Sequence, residues 1–115
     1  MALSVRLERL VISVLTEADT NTIHAFQHGS TIELHLRENP STGYRWSIEV
    51  APAEAATVIS SDWSAAGVGV GGTGTRKFVI SIRDSGILKL CAKLWRHWEG
   101  EGSAIKRLEF SFEVR

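Results

Sequence analysis

The sequence predicts an all-β fold in which antiparallel strands pack as a β-sandwich. Apolar and polar residues alternate with a period of two along most of the chain, as in strands with one face on a core and the other in water. Gly-rich and Asn/Pro/Ser clusters separate these runs, as expected for the turns of a sandwich. A length of 115 residues fits one core, so we expect residues 1–115 to form a single domain.

The alternating runs give the strands in order. The residues predicted to face the core are Ile32, Leu34 and Leu36; Tyr44, Trp46, Ile48 and Val50; Phe78, Ile80 and Ile82; Leu88, Leu90, Ala92 and Leu94; and Leu108, Phe110, Phe112 and Val114. The residues between them, including Cys91 and Lys93, are predicted to face water. Residues 51–66 mix Ala, Glu and Ser and predict a connection with a turn of helix and a short strand around Val58 and Ile59.

The N-terminal segment fits two structures. One helical face would collect Leu3, Leu7, Leu10, Val11 and Val14, whereas strands would place Val5 with Leu7 and then Ile12 with Val14. The content of β-branched residues favours strands.

Composition excludes several classes of partner. Thirteen basic residues balance thirteen acidic ones and are scattered, so no basic patch for nucleic acid is expected.

The apolar run at residues 10–15 is too short to cross a membrane and makes a poor signal-peptide core. We therefore expect either a cytosolic protein or an exported one whose targeting segment lies outside this sequence. Since a closed sandwich folds without a partner, we expect a monomer.

Catalytic chemistry is not predicted. Cys91 is the single cysteine, which excludes an internal disulfide. The flanking Lys89 and Lys93 could lower the pKa of its thiol and make it redox-active, but a plain half-buried cysteine is the favoured interpretation. The histidines have no spacing typical of a zinc site and the carboxylates form no catalytic pair, so we expect no metal, no cofactor and no enzyme activity.

The segment Asn39-Pro40-Ser41-Thr42-Gly43-Tyr44 joins two well-patterned strands. Asn39 is suited to accept a backbone hydrogen bond, Pro40 fixes its own φ, and Gly43 can adopt a positive φ. Such a loop is stiff and narrow, and it could enter a cleft with little loss of conformational entropy. A routine hairpin turn is the alternative.

A second loop, Gly67–Thr75, contains a G-x-G-x-x-G pattern. The pattern does not indicate a dinucleotide site, because an alternating strand follows it where a helix is required. No Gly-Lys-Ser/Thr follows, which also excludes a P-loop. The segment is either a low-profile surface that another molecule can approach closely or a flexible connection.

The third loop, Leu94–Gly100, carries Trp95 and Trp98 on either side of Arg96 and His97. Trp and Arg are the residues most enriched where binding energy concentrates. The pattern favours a binding surface, the alternative being that both indoles fold back over the end of the sandwich.

Taken together, the loops resemble the signature of the chagasin family of papain-like protease inhibitors. The family patterns N-P-[ST]-T-G-[YF], G-x-G-G-T and R-P-[WF] match Asn39–Tyr44, Gly69–Thr73 and Arg96–Trp98 in that order, within a resemblance spanning residues 30–115. His97 departs from the pattern, since the family usually has proline there. That loop thereby loses a fixed φ and gains a titratable tip.

The resemblance implies an immunoglobulin-like sandwich with three binding loops at one end, which reversibly occlude the active-site cleft of a papain-type cysteine protease. Thr42 would lie near the catalytic cysteine, Trp98 would stack on an aromatic surface, and Arg96 would contact the protease or brace its loop. The implied protease-binding residues are Asn39, Pro40, Ser41, Thr42, Gly43, Tyr44, Gly69, Val70, Gly71, Gly72, Thr73, Arg96, His97 and Trp98. The alternative is an immunoglobulin-like binding or assembly module that inhibits no protease.

Overall fold

The structure, a computed structural model, describes residues 13–66 and 72–115. Its strands are β1 (Ser13–Thr16), β2 (Ile23–Phe26), β3 (Thr31–Glu38), β4 (Arg45–Ala51), β5 (Ala56–Ala65), β6 (Gly74–Ile82), β7 (Gly86–Trp95) and β8 (Lys106–Val114). Short 3₁₀ turns span Glu17–Asp19, Pro40–Thr42, Ala53–Ala55, His97–Glu99 and Glu101–Ser103. No helix in the described ranges is long and apolar enough to cross a membrane.

Two four-stranded sheets, in the orders β1-β3-β6-β5 and β2-β8-β7-β4, form the predicted β-sandwich. The central pairings are antiparallel, as expected, but β1 pairs with β3 and β2 with β8 in parallel. The parallel edges arise because β1, β2 and β3 alternate between the two sheets, so no tight hairpin joins β1 to β3 or β2 to β8.

The core lies between the sheets and is built from the alternating residues predicted for it. The buried members of the predicted set are Ile32, Leu34, Leu36, Trp46, Phe78, Ile80, Ile82, Leu88, Leu90, Ala92, Phe110, Phe112 and Val114. Ile48 and Val50 are only partly buried, because β4 is an edge strand, and Leu94 and Leu108 are partly buried as well. The prediction for Tyr44 is wrong, because Tyr44 precedes β4 and its ring lies against Arg96 instead of in the core. The core therefore fixes the register of the central strands, since a one-residue slip of β3 or β8 would expose its apolar face.

At the N-terminal end, the strand interpretation holds for Ser13–Thr16, but the predicted phase is wrong. Leu15 is 6% exposed and Val14 is 49% exposed. Leu15 faces the core because it is paired with Leu34, itself a core residue. The remaining N-terminal predictions fall on residues 1–12, which lie outside the described residues.

The connection predicted over residues 51–66 is instead mostly strand. The 3₁₀ turn Ala53–Ala55 supplies the expected helical turn, but β5 then runs for ten residues along β6. The prediction of a short strand was wrong for two reasons. β5 is an edge strand with mostly exposed residues, and a bulge near Ile59 interrupts its alternation.

Lys93 also departs from its prediction, since it is 8% exposed on the outer face of its sheet. Its ammonium pairs with the Glu101 carboxylate and lies 3.7 Å from the centroid of the Trp95 ring. The 3₁₀ turn that carries Glu101 folds over this face, and period-two alternation does not predict such a cover. Hydrogen bonds from Lys93 and Arg107 lower the pKa of the Glu101 carboxyl.

Candidate functional site

The first loop, between β3 and β4, is held by its own side chains. Asn39 caps the 3₁₀ turn Pro40–Thr42, because its Oδ1 accepts from the backbone N–H of Ser41 at 3.1 Å and from the Ser41 hydroxyl at 2.6 Å. The Thr42 hydroxyl donates to the Asn39 carbonyl at 2.8 Å and accepts from the Tyr44 N–H at 3.3 Å. Ser41 and Thr42 remain exposed at the tip. The loop is therefore locally fixed, as its sequence predicts.

The third loop, between β7 and β8, packs against the first. The guanidinium of Arg96 donates to the Thr42 carbonyl from Nη2 at 2.9 Å and from Nε at 3.2 Å, and its Cζ lies 4.3 Å from the centroid of the Tyr44 ring. Gly43 has a φ of 82°, and a Cβ built there would lie 2.9 Å from Cη2 of Trp98. Glycine is required on both counts. Of the two roles expected for Arg96, bracing is the one that these contacts support.

The two tryptophans of the third loop have different environments. The Trp95 indole lies half-buried on the outer face of the sheet and donates to Ser47 Oγ at 2.7 Å. Trp98 stays 61% exposed, with the exposed His97 ring edge-on at 5.2 Å between centroids. The alternative in which both indoles fold back over the end of the sandwich is therefore wrong, since Trp95 packs on the outer face of its own sheet and Trp98 is exposed. Trp98 presents an apolar surface at the loop end, where it rests on Gly43.

The second loop, between β5 and β6, is described at its two ends. Three of its predicted site residues, Gly69, Val70 and Gly71, lie outside the described residues. Gly72 has a φ of 84°, and a Cβ on it would lie 2.9 Å from Asn39 Oδ1 and 3.3 Å from Ser41 Oγ. The Ala66 N–H donates to the Thr73 carbonyl at 3.0 Å and closes the loop. The end of the second loop therefore packs against the first.

Glu38 lies directly beneath these loops, at a site that the sequence analysis did not identify. It is 2% exposed, and its Oε2 accepts from Arg76 Nη2 at 2.7 Å and Nε at 3.0 Å. Its Oε1 accepts from the backbone N–H of Trp46 at 2.9 Å. A signal was present, because the alternation of Ile32, Leu34 and Leu36 places residue 38 inward, where a carboxylate needs partners.

The other chemistry-bearing residues do not form a site. Cys91 is exposed on the outer face of β7, and partial desolvation of the thiol, together with the carboxylates of Glu109 and Glu49, raises its pKa. The possibility that neighbouring lysines lower this pKa is not realised, because the effect of Lys89 is smaller than those opposing it. The favoured interpretation of a half-buried cysteine is wrong as to burial, since the residue is exposed. In residues 13–66 and 72–115, no group of three His, Cys, Asp or Glu side chains could hold a metal ion.

The described part of the loop end thus offers a shaped surface rather than catalytic groups. Its exposed members are the hydroxyls of Ser41 and Thr42 at the tip, with the indole of Trp98 to one side and Gly72 to the other. Such a surface can bind and cover another molecule.

Comparison with known proteins places this arrangement in a family. The family model described as chagasin family peptidase inhibitor I42 matches residues 25–114. No curated protein sequence is significantly similar to the chain.

Solved structures share the fold. The cysteine protease inhibitor EhICP2 from Entamoeba histolytica superposes with a TM-score of 0.77 at 25% identity, over 90% of this chain and 95% of its own. Amebosin gives a TM-score of 0.73 at 23% identity, over 91% of this chain and 99% of its own. PbICP-C, solved in complex with falcipain-2, gives 0.59 at 15% identity, over 90% and 91% of the two chains. The last two show likeness of fold only.

The family match covers most of the chain and includes all three loop motifs, so the predicted resemblance is confirmed. It favours protease inhibition over the immunoglobulin-like module without inhibitory function, and over an enzyme. The chain belongs to the chagasin family of peptidase inhibitors.

Proposed function

We propose that this protein reversibly inhibits papain-type cysteine proteases by inserting its three loops into and around the active-site cleft. The observation that carries the proposal is the joining of the loops into one unit at one end of the sandwich. Arg96 ties the third loop to the first through the Thr42 carbonyl, and Gly72 of the second loop packs on Asn39. The family match and the name of EhICP2, a cysteine protease inhibitor, support a protease of this class.

The first loop, Asn39–Tyr44, enters the cleft in this proposal, with Thr42 nearest the catalytic cysteine. Thr42 suits the position because its side chain is exposed at the tip while its carbonyl is held by Arg96. Trp98 covers one wall of the cleft, and the second loop, with Gly69–Thr73, covers the other. His97 lies at the rim beside Trp98.

Inhibition is by occlusion, without a covalent step. The inserted loop covers the nucleophile of the protease and offers no carbonyl in a position that it can attack. Because the loop is already fixed by hydrogen bonds from its own side chains, little conformational entropy is lost on binding. A modest interface can therefore bind tightly.

We further propose that residues 1–115 are one inhibitor domain and act as a monomer. The family match begins at residue 25, and β1, which precedes it, pairs with β3 in the same sandwich.

The test is a titration of purified protein against papain cleaving a fluorogenic peptide. We expect loss of activity to be complete at one inhibitor per protease and to reverse on dilution. Intact inhibitor recovered from the complex would support occlusion over cleavage. Absence of inhibition across several papain-type proteases would refute the proposed target class.

A further inference from the structure

A buried ion pair lies beneath the loops and is not itself exposed for protease contact. The Glu38 side chain is 0% exposed and that of its partner Arg76 is 15% exposed. Both carboxylate oxygens are occupied, one by two guanidinium nitrogens and the other by the Trp46 N–H. Within the described residues, every buried side-chain polar atom has a hydrogen-bond partner, so this charge is fully satisfied.

The partners of Glu38 belong to the strands that carry two of the loops. Glu38 is the last residue of β3 and Trp46 is the second of β4, so one side chain joins the two strands that flank the first loop. Arg76 lies in β6, just after the second loop, and its Nη1 donates to Ser61 Oγ in β5 at 3.2 Å. The network therefore reaches all four strands on which the first and second loops are mounted.

Two indoles reinforce the same junction. Trp63 of β5 donates from Nε1 to the Glu38 carbonyl at 3.0 Å, and Trp46 donates from Nε1 to the Arg37 carbonyl at 2.8 Å. Gly74 leaves room for Trp63, since a Cβ there would lie 2.6 Å from the indole ring. The end of β3 is thus fixed through its side chain and through its backbone.

A contribution to the free energy of unfolding is a weak explanation for a buried ion pair. Burying two charges loses their hydration, and well-packed apolar residues often stabilise a core equally well. The ion pair does restrict the relative orientation of the Glu38 and Arg76 side chains, because two guanidinium nitrogens donate to the carboxylate in a defined geometry. The pair thereby holds β3 and β4, which flank the first loop, in a fixed relation to β6, which follows the second.

We propose that Glu38, through Arg76, is a positioning residue for inhibition: it sets the position of the first loop relative to Gly72 and Thr73, the described end of the second loop, before the protease binds. The inference rests on the proposed function, because it concerns the loops that would occupy the cleft. The third loop is positioned indirectly, since Arg96 attaches it to the first.

The principal test is Glu38→Gln. Glutamine keeps the shape of the side chain and an acceptor for the Trp46 N–H but removes the charge that orients Arg76. We expect Ki to rise about tenfold or more, as when one or two interface side chains must be ordered on binding. The control is Ile82→Val, a fully buried residue at the opposite end of β6. Both variants are assayed at a temperature where thermal unfolding shows them fully folded.

A second readout does not depend on any protease. Hydrogen exchange of the backbone amides of Ser41, Gly43 and Tyr44 is measured in the free inhibitor. We expect faster exchange in Glu38→Gln than in wild type and no change in Ile82→Val. Faster exchange in both variants would indicate a purely structural role and overturn the proposal, as would unchanged exchange and unchanged Ki in Glu38→Gln.

Arg76→Lys provides a variant that keeps both charges and removes only the fork. If Glu38→Gln does not fold, Arg76→Lys is expected to fold and to show the same direction of change in Ki and in exchange. Wild-type behaviour of this variant in both readouts would overturn the proposal. If the wild-type protein inhibits no papain-type protease, the proposed function fails, and the exchange measurements still decide whether Glu38 orders the loops.

Discussion

Replacing Trp98 by alanine tests whether the third loop supplies binding free energy. The residue is 61% exposed, and since a tryptophan offers roughly 200 Å² for burial, about 120 Å² remains for a protease to cover. At about 25 cal/mol per Å², that area corresponds to about 3 kcal/mol of binding free energy. The expected increase in Ki is on the order of 100-fold.

The stability of the fold should change little. Surface substitutions usually alter the free energy of unfolding by about 0.5 kcal/mol or less, and Trp98 lies outside the core. Ki is measured by titration against papain, and stability by thermal unfolding. Ile87→Ala is the matched control, because Ile87 is 65% exposed but is the second residue of β7, at the end of the strand away from the loops. A fall in stability without a rise in Ki, or an equal rise in Ki for both variants, would refute the argument.

Three further variants extend the test. Thr42→Arg places a long charged side chain at the exposed tip and should abolish inhibition of papain, with Thr42→Val as the control for the lost hydroxyl; undiminished inhibition would exclude insertion of this tip. His97→Pro should lower Ki about two- to fivefold, because proline restricts the conformations of the unbound loop. The backbone can accept proline, since His97 begins a 3₁₀ turn and Arg96 before it has an extended φ of −102° and ψ of 104°. An unchanged or raised Ki would show that the His97 side chain itself contributes to binding. Cys91→Ser should leave Ki unchanged, and loss of inhibition would instead indicate a thiol-dependent role. Because the pKa of the wild-type Cys91 thiol is raised, this thiol should react slowly with iodoacetamide at pH 7 and faster as pH rises.

Much of the fold could be predicted because period-two alternation records which face of a strand meets the core. The predicted inward-facing residues are correct in β3 (Ile32, Leu34 and Leu36) and in β8 (Phe110 and Phe112). Both strands have a neighbouring strand on each side. The alternation is wrong at Val14 and uninformative along β5, both in edge strands. An edge strand is less covered by its neighbours, so its residues need not alternate in polarity.

The internal order of the first loop was likewise readable, because Asn39, Pro40 and Gly43 act on backbone within a few residues of themselves. Three motifs in one order were enough to indicate the inhibitor family. The sandwich and most of its core could therefore be predicted from strand periodicity and local chemistry, whereas the loops were identified through their resemblance to a family signature.

The way in which the loops are joined could be seen only in the folded protein. Arg96 and Thr42 are far apart in the chain, as are Gly72 and Asn39, and no pattern in either segment records the contact. The alternation along β3 places Glu38 inward, but its pairing with Arg76 is also a tertiary contact, because the two residues are 38 positions apart. These contacts depend on which strands become neighbours, and that is settled by packing the whole core.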